Sequence, residues 1–424
     1  MKDKTIYIGI VGAGVVGMAT INLLQKNKDI ISCRAGVNII IKKIVVRDIS
    51  KIDSLLRPLC SSNVDDILND NSISIVVELI GDIDAAYSIA KKVLEKNKAF
   101  VTANKAMLAC YRHGLQNMSL DTPICFEGSV AGGIPIIKII RDGLSANNII
   151  NIKGILNGTC NYILTKMNSD GCSFDECLKE AKHLGYAERD PSLDISGLDT
   201  AHKLIILSSI AFDIDVSLNS ILIEGISSIQ KEDMVFANEF GYSIKLLAIA
   251  KRVEDKVELR VHPTLINKNT ILSQVSGVMN AISITGDVLG ESVYYGAGAG
   301  GGATASSIVS DIIDIARNNL SPMLGYKKPL SNNLELQSIE NIISKYYIRL
   351  KVINKVGVIA KIASVLEKNN ISIEIFLQKE SNINTSTLLL STYESIESNI
   401  KKALFDLSNL EVVCEYPHMI RIED

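Results

Sequence analysis

The chain has 424 residues, of which 47% are hydrophobic and 21% are charged, and its formal net charge is −3. This length predicts roughly two to four domains, and the composition is that of an ordinary globular protein. The small net charge gives no electrostatic basis for binding nucleic acid or an anionic membrane. The sequence contains no Trp, which also argues against a base-stacking surface.

The N-terminal residues, MKDKTIYIGI, lead directly into a strand pattern and lack the apolar core of a secretory signal. No apolar run approaches the ~20 residues of a membrane helix, so we expect a cytoplasmic protein without a membrane partner. The eight cysteines form no CxxC pair and no zinc-site pattern with histidine. An even count permits disulfides, but in such a chain we expect reduced core cysteines.

The N-terminal part of the chain alternates strand and helix patterns. Uniformly apolar strands separated by amphipathic helices, such as Asp84–Lys96, indicate a parallel sheet that is covered on both faces. The predicted strands are Thr5–Val11, Val37–Val46, Ser74–Ile80, Ala99–Ala103 and Pro123–Phe126. The fold class is therefore α/β, with a Rossmann-type dinucleotide-binding domain at the N-terminus.

A glycine-rich turn follows the first strand directly and opens a helix. It reads Gly12-Ala13-Gly14-Val15-Val16-Gly17. Gly12 permits the tight turn, Gly14 lets the backbone approach a pyrophosphate, and Gly17 lets the helix pack closely on the strand. Between a strand and a helix, this motif favours dinucleotide binding over the alternative of an ordinary strand–helix turn.

Polar residues at two strand ends are candidates for contacts with the dinucleotide. Arg47 and Asp48 end the second strand, where a carboxylate suits the ribose of NAD and an arginine suits the 2′-phosphate of NADP. The arginine favours NADP, although NAD and a simple surface ion pair stay open. Lys105 follows the fourth strand, where it can bind a carbonyl or an anion near the nicotinamide or act as a solvated helix-start lysine.

The loop after the fifth strand combines a carboxylate with several small residues. It contains Glu127, Val130, Gly132 and Ile134. Exposed carbonyl oxygens and one carboxylate can form a cage for a monovalent cation, although the pattern alone favours a plain loop before a helix.

The segment 185–203 is the most informative for chemistry. Asp199 and Lys203 are four residues apart on a predicted helix, so both project from one face. A lysine positioned by a carboxylate can protonate the oxygen of a carbonyl that accepts a hydride. Glu188, in the preceding loop, can hold a substrate ammonium group. The residues alone slightly favour the alternative, a capping box at Ser196 with a surface ion pair.

The remaining chain predicts two further domains. Residues 146–295 form an α+β catalytic and oligomerisation domain, and the residues from about 296 to 320 return to complete the N-terminal domain, 1–145. Residues 321–343 contain two prolines and form a linker. Residues 344–424 follow the order βαββαβ, which is ferredoxin-like.

Taken together, these motifs resemble homoserine dehydrogenases of the monofunctional type with a C-terminal ACT domain. The resemblance covers essentially the whole chain, and the block at 185–204 is its most specific part. The matching segments are GAGVVG at 12–17, VVELIGD at 76–82, VTANKAMLA at 101–109, EGSVAGGIPII at 127–137, LNGTCNYIL at 156–164, GYAERDPSLDISGLDTAHKL at 185–204, GVMNAISITGD at 277–287 and YYGAGAGGGATASSIVSDI at 294–312.

The resemblance implies the reversible reduction of L-aspartate 4-semialdehyde to L-homoserine with NADPH or NADH, in the biosynthesis of threonine, methionine and isoleucine. It also implies a homodimer or homotetramer and threonine as an effector of the ACT domain. By matched position, the implied catalytic residues are Lys203, Asp199 and Lys105, and the implied substrate-binding residues are Glu188, Gly158, Tyr186 and Asp194. The implied nucleotide contacts include Gly81, Gly300 and Arg47, and the implied sodium site is Glu127, Val130, Gly132 and Ile134.

Two departures from the family pattern are visible. Asp82 stands where a second glycine is common, which affects the turn after Gly81. Asn354 stands where the ACT loop often has aspartate, which removes a carboxylate from the expected effector site. Another Rossmann dehydrogenase acting on an amino acid, and a non-catalytic sensor of NADP and amino acids, are the alternative functions.

Overall fold

The computed structural model describes residues 4–119, 122–330, 334–380 and 384–423. The strands are β1 (Thr5–Val11), β2 (Asn38–Val45), β3 (Cys60–Ser61), β4 (Ile73–Glu78), β5 (Ala99–Thr102), β6 (Ile124–Cys125), β7 (Ile149–Ile155), β8 (Leu222–Ile223), β9 (Tyr242–Val253), β10 (Lys256–Asn267), β11 (Met279–Gly286), β12 (Gly290–Ala297), β13 (Glu335–Leu336), β14 (Ile343–Ile353), β15 (Ile373–Glu380), β16 (Thr385–Thr392), β17 (Ser395–Ile396) and β18 (His418–Glu423). The helices are α1 (Val15–Lys26), α2 (Lys28–Ala35), α3 (Asp65–Leu68), α4 (Ile83–Glu95), α5 (Lys105–Ser119), α6 (Ile136–Lys138), α7 (Gly158–Asp170), α8 (Phe174–His183), α9 (Ser192–Ile195), α10 (Leu198–Phe212), α11 (Lys231–Glu239), α12 (Gly301–Arg317), α13 (Val358–Lys368) and α14 (Glu397–Ser408).

The chain divides into two compact units, and each is built from three separate segments. Unit 1 comprises the described residues of 1–151, 201–220 and 279–334, and unit 2 those of 152–200, 221–278 and 335–424. In the described ranges, no helix is long and apolar enough to cross a membrane.

Unit 1 contains the predicted parallel sheet. Its strand order is β3-β2-β1-β4-β5-β6, and every neighbouring pair is parallel. The apolar runs that predicted the strands are buried at the centre, where Ile8, Ile10 and Val77 have no exposed surface. Helix α12 packs against α1 and adds Ile308 and Ile312 to the same core. The α/β class with a Rossmann-like sheet is therefore confirmed.

Unit 2 has a long antiparallel hairpin at its centre. Strands β9 and β10 pair along their full length, from Tyr242 opposite Asn267 to Val253 opposite Lys256. Helices α7 and α11 pack against β9. A capping box opens α8, where Ser173 and Glu176 exchange hydrogen bonds.

The C-terminal part of unit 2 has the predicted order of elements, βαββαβ. Strands β14, β15, β16 and β18 form an antiparallel sheet in the order β18-β14-β16-β15. Strand β18 also pairs in parallel with β10, through Thr264 opposite Arg421. We call residues 343–423 of this sheet and its helices the C-terminal subdomain.

The expectation that the cysteines are reduced core residues is wrong for several of them. Cys172 and Cys177 form a disulfide, because the turn that starts α8 brings their Cα atoms to 6.4 Å. Cys125 and Cys160 are buried as expected, whereas Cys33, Cys110 and Cys414 are exposed.

Candidate active site

The glycine-rich turn in unit 1 has the backbone geometry that its sequence predicts. Gly12 has φ +100°, and its N–H donates to the carbonyl oxygen of Val45 at 2.9 Å. A Cβ at Gly12 would lie 2.7 Å from the Leu79 carbonyl oxygen, and one at Gly17 would collide with the carbonyl oxygen of Gly12. The space around Gly14 is open. The remaining members of the turn are Ala13, Val15 and Val16, of which Val15 is exposed.

A second glycine-initiated helix begins beside this turn. Gly300 has φ +107° and is the N-cap of α12. A Cβ on the next residue, Gly301, would lie 3.2 Å from Val15 Cγ1. The N-termini of α1 and α12 therefore lie next to each other, and helix N-termini attract anions through their free N–H groups.

The strand ends of unit 1 are linked by buried polar side chains. Asn104 is buried between β5 and Lys105, and its Nδ2 donates to the carbonyl oxygens of Ile80 at 3.1 Å and Asp82 at 3.3 Å. Lys105 starts α5 and is half-buried. Gly81 lies exposed in the turn that Asn104 holds. This arrangement brings Gly81 and Lys105 to the same edge of the sheet.

Arg47 and Asp48 lie beyond the end of β2 and are both exposed. The Asp48 carboxylate accepts hydrogen bonds from the N–H of Ser50 at 3.0 Å and from its hydroxyl at 2.6 Å. These bonds lower the pKa of Asp48. The carboxylate is thus engaged in a local turn, and the Arg47 side chain is the exposed cation at this position.

The candidate cation loop in unit 1 surrounds a buried carboxylate. Glu127 is 1% exposed, and its carboxylate accepts the N–H groups of Ile137 at 2.9 Å and Lys138 at 3.0 Å. Burial, and secondarily the charge of Asp311, raises the pKa of Glu127 to about 8. Val130, Gly132 and Ile134 are buried in the same loop.

The oxygen atoms of this loop are chemically suited to act as ligands of a hard monovalent cation. A carboxylate has about four lone-pair sites, and the hydrogen bonds from Ile137 and Lys138 use two of those of Glu127. The Gly132 carbonyl accepts the Ser307 hydroxyl at 2.6 Å, and a carbonyl oxygen has a second lone pair. Among the described residues, there is no group of three or more His, Cys, Asp or Glu side chains for a transition metal.

In unit 2, the predicted substrate-binding residues surround the N-terminus of α7. The Thr159 hydroxyl donates to the Tyr186 carbonyl oxygen at 2.6 Å and lies 3.3 Å from Asp194 Oδ2. Gly158 is the first residue of α7, and a Cβ there would lie 2.6 Å from the Val278 carbonyl oxygen. Tyr186 and Glu188 lie exposed in the loop after α8.

Helix α10 carries both members of the predicted proton-transfer pair. Asp199 and Lys203 are four residues apart on this helix, as predicted. They are 6% and 7% exposed, so neither is an ordinary solvated surface charge. The alternative of a surface ion pair is therefore wrong.

Three comparisons with known proteins give one consistent result. The family model for homoserine dehydrogenase matches residues 135–313, and the model for the homoserine dehydrogenase NAD-binding domain matches residues 12–119. A homoserine dehydrogenase from Helicobacter pylori is 52% identical over 99% of this chain and 100% of its own length, and one from Pseudomonas aeruginosa is 40% identical over 99% of both chains. The crystal structure of a homoserine dehydrogenase from Thiobacillus denitrificans matches with a TM-score of 0.92 and 40% identity over 99% of both chains.

The chain belongs to the homoserine dehydrogenase family.

Membership of the homoserine dehydrogenase family makes the protein an oxidoreductase, and its NAD-binding domain indicates a nicotinamide dinucleotide cofactor. One departure from the family pattern has a clear local role. Asp82 caps α4, because its carboxylate accepts the Ala85 N–H at 2.8 Å.

Two buried residues near the predicted sites were not identified from the sequence. The side-chain amide of Asn157 donates to both Asp194 and Asp199. Glu78 has no exposed surface, and burial raises its pKa to about 7. It accepts the Ile80 N–H at 2.6 Å and so supports the turn at Gly81. A carboxylate within the apolar run VVELI was the available signal.

Proposed function

We propose that the protein catalyses the reversible, NADP-dependent reduction of L-aspartate 4-semialdehyde to L-homoserine. The observation that carries the proposal is the burial of Asp199 and Lys203, one turn apart on α10. A buried ammonium beside a carboxylate is suited to deliver a proton to a carbonyl oxygen. Membership of the homoserine dehydrogenase family indicates which substrate carries the carbonyl group.

The reaction requires a hydride at the aldehyde carbon and a proton at its oxygen. The bound dinucleotide supplies the hydride. The Lys203 ammonium donates the proton, directly or through water, and Asp199 orients that lysine. Glu188 holds the substrate ammonium group, Gly158, Tyr186 and Asp194 shape the pocket, and Lys105 is the second cation of the active site.

The expected coenzyme is NADP, and NAD is the alternative. Arg47 is exposed beyond β2, where an arginine suits the 2′-phosphate. The solved structure of a hyperthermophilic archaeal homoserine dehydrogenase, with 27% identity and a TM-score of 0.64 over 75% of this chain, is a complex with NADPH. Replacing Arg47→Leu should raise KM for NADPH and leave KM for NADH unchanged. Equal effects on both coenzymes would contradict this assignment.

The proposal also includes the predicted division of the chain. Residues 1–145, completed by about 296–320, bind the dinucleotide, and 146–295 form the catalytic and oligomerisation domain of a homodimer or homotetramer. Residues 321–343 are the linker to an ACT domain at 344–424. The cation of the loop at Glu127, Val130, Gly132 and Ile134 is sodium, and the compartment is the cytoplasm.

Threonine is the proposed effector of the ACT domain. A pocket of about 210 Å³ lies in the C-terminal subdomain, where Asn354, Lys355 and Gly357 precede α13 and Gln378 lines the opposite wall. Gly357, the N-cap of α13, has φ +87° and makes no side-chain cap hydrogen bond, and Val358 and Ile359 of the first turn also line the pocket. Calorimetric titration with threonine tests this assignment. Asn354→Asp, which restores the missing carboxylate, should tighten binding of the ammonium group.

The test of the catalytic proposal is NADPH oxidation with aspartate semialdehyde, followed by absorbance. Lys203→Ala should lower kcat by about 10²- to 10⁴-fold, because a positioned general acid contributes that much. Lys402→Ala, at an exposed position on α14, is the matched control and should retain full activity. Coenzyme binding by wild-type protein without turnover would reject the proposal in favour of a sensor.

A further inference from the structure

The Asn157 side chain makes three hydrogen bonds from a buried position. It is 5% exposed, and its Oδ1 accepts the Cys160 N–H at 2.9 Å as the N-cap of α7. Its Nδ2 donates to Asp194 Oδ1 at 2.7 Å and to Asp199 Oδ2 at 2.9 Å. One carboxamide therefore caps a helix with its oxygen and joins two carboxylates with its nitrogen.

This arrangement determines the orientation of both carboxylates. An amide nitrogen carries two hydrogens, so each aspartate can receive one of them. The two accepting oxygens share one donor atom, which keeps the carboxylates close despite their repulsion. A neutral amide joins the pair without adding charge to the site.

Asp194 is held further by the first turn of α7. The Thr159 hydroxyl lies 3.3 Å from Asp194 Oδ2, and the Cys160 thiol donates to the Asp194 carbonyl oxygen at 3.2 Å. Asp199 receives the same Asn157 amide at the start of α10, one turn before Lys203. The N-terminal turn of α7 thus links a residue assigned to substrate binding with one assigned to proton transfer.

We infer that Asn157 is a positioning residue that sets the Asp194 and Asp199 carboxylates together through its side-chain amide. The inference rests on the proposed function, which gives those aspartates their roles. It assigns to Asn157 a task beyond capping α7. Removal of the amide donors should therefore impair turnover even when the helix cap is retained.

Two substitutions separate this role from capping. Serine, aspartate and asparagine are similarly good N-caps, so Asn157→Ser and Asn157→Asp keep an acceptor for the Cys160 N–H. Both remove the amide donors, and kcat/KM should fall by about 10- to 100-fold. Ser173→Asn is the matched control, because it exchanges the two residue types in the opposite direction at the N-cap of α8. This control should leave kcat/KM unchanged.

The pH dependence of Asn157→Asp gives a second readout. Its new carboxyl group would lie beside two carboxylates, which raise its pKa. Below that pKa the added proton restores one donor, so the activity of this variant relative to wild type should rise as the pH falls. Asn157→Ser has no such group, and its relative activity should not change with pH.

The possible results distinguish the inference from the proposed function. An inactive wild type would reject the proposed function. An active wild type with Asn157→Ser at full kcat/KM, or with Asn157→Asp impaired equally at every pH, would reject the positioning role alone. Thermal unfolding and NADPH binding are measured for both variants. If Asn157→Ser fails to fold or to bind NADPH, the pH profile of the isosteric Asn157→Asp decides, and a flat profile rejects the positioning role.

Discussion

The side chains of Arg421 and Glu224 form a bidentate ion pair within unit 2, with nitrogen–oxygen distances of 2.8 and 3.0 Å. Arg421 has no exposed surface and also binds the buried Glu397. Two residues after Glu224, the N–H of Ile226 donates to the carbonyl oxygen of Ile195 at 2.9 Å. The last strand of the C-terminal subdomain is thereby tied to the segment that carries Asp194.

Replacing Arg421→Met should destabilise the protein by about 3–5 kcal/mol, because it leaves the buried Glu397 with only the partly exposed Lys401, 3.6 Å away, as a cationic partner. Arg317→Met is the matched control, since Arg317 is 41% exposed and pairs with Asp314 at 3.9 Å. The control should cost less than about 1 kcal/mol. Urea unfolding measures both variants, and equal losses would show that the Arg421 network does not stabilise unit 2.

Glu127→Gln should remove part of the pH dependence of stability in sodium-free buffer. Burial raises the pKa of Glu127 from 4.5 to about 8. Its contribution to stability is therefore complete below pH 4.5 and is lost as the pH rises through about 8. The glutamine variant cannot ionise. Its unfolding midpoint should therefore rise relative to that of wild type as the pH increases over this range. Asp84→Asn, at an exposed position, is the control, and parallel curves for wild type and Glu127→Gln would contradict the prediction.

Sodium should stabilise the wild type at pH 8 and above. A cation that binds only the folded state raises the unfolding midpoint, and it would favour the ionised form of Glu127. The measurement compares thermal unfolding in sodium chloride and in tetramethylammonium chloride at equal ionic strength. Glu127→Gln should show no difference between the two salts. A sodium effect that persists in this variant would place the cation elsewhere.

Gly158→Ala should impair the candidate site. The new Cβ would lie 2.6 Å from the Val278 carbonyl oxygen, so the backbone must move. We expect a loss of about 1–3 kcal/mol of stability and at least a tenfold fall in kcat/KM. Gly114→Ala is the matched control, because Gly114 lies exposed in α5 with only the Tyr87 hydroxyl nearby, at 3.8 Å. That change should be neutral or stabilising by up to about 1 kcal/mol.

The sheet of unit 1 was predictable because its strands are apolar on both faces, and the glycine turn marks where the first of them ends. The short strand β3 was missed, since two residues carry no periodic signal. The strand predicted at Ser74–Ile80 spans Ile73–Glu78. The last strand starts at His418, directly after Pro417, which lacks the N–H that a ladder requires. Local sequence patterns therefore predicted which elements are present better than they predicted where those elements begin and end.

The chemistry of the candidate site was only partly visible in the sequence. Asp199 and Lys203 could be paired because helical spacing relates residues four apart. Asn157 could not be related to its partners, which lie 37 and 42 residues away in sequence. The burial of Glu78 and Glu127 likewise depends on the packing of distant segments. Contacts of this kind follow from the tertiary fold.

The packing of α12 on α1 has a consequence for synthesis on the ribosome. Residues 301–317 supply Ile308, Val309 and Ile312 to the core beneath the first sheet, yet they emerge long after β6. At about 5–20 residues per second, the nascent sheet leaves this apolar face uncovered for on the order of ten seconds. During that interval the growing chain is a substrate for chaperones, and a truncation before residue 301 would make the exposure permanent.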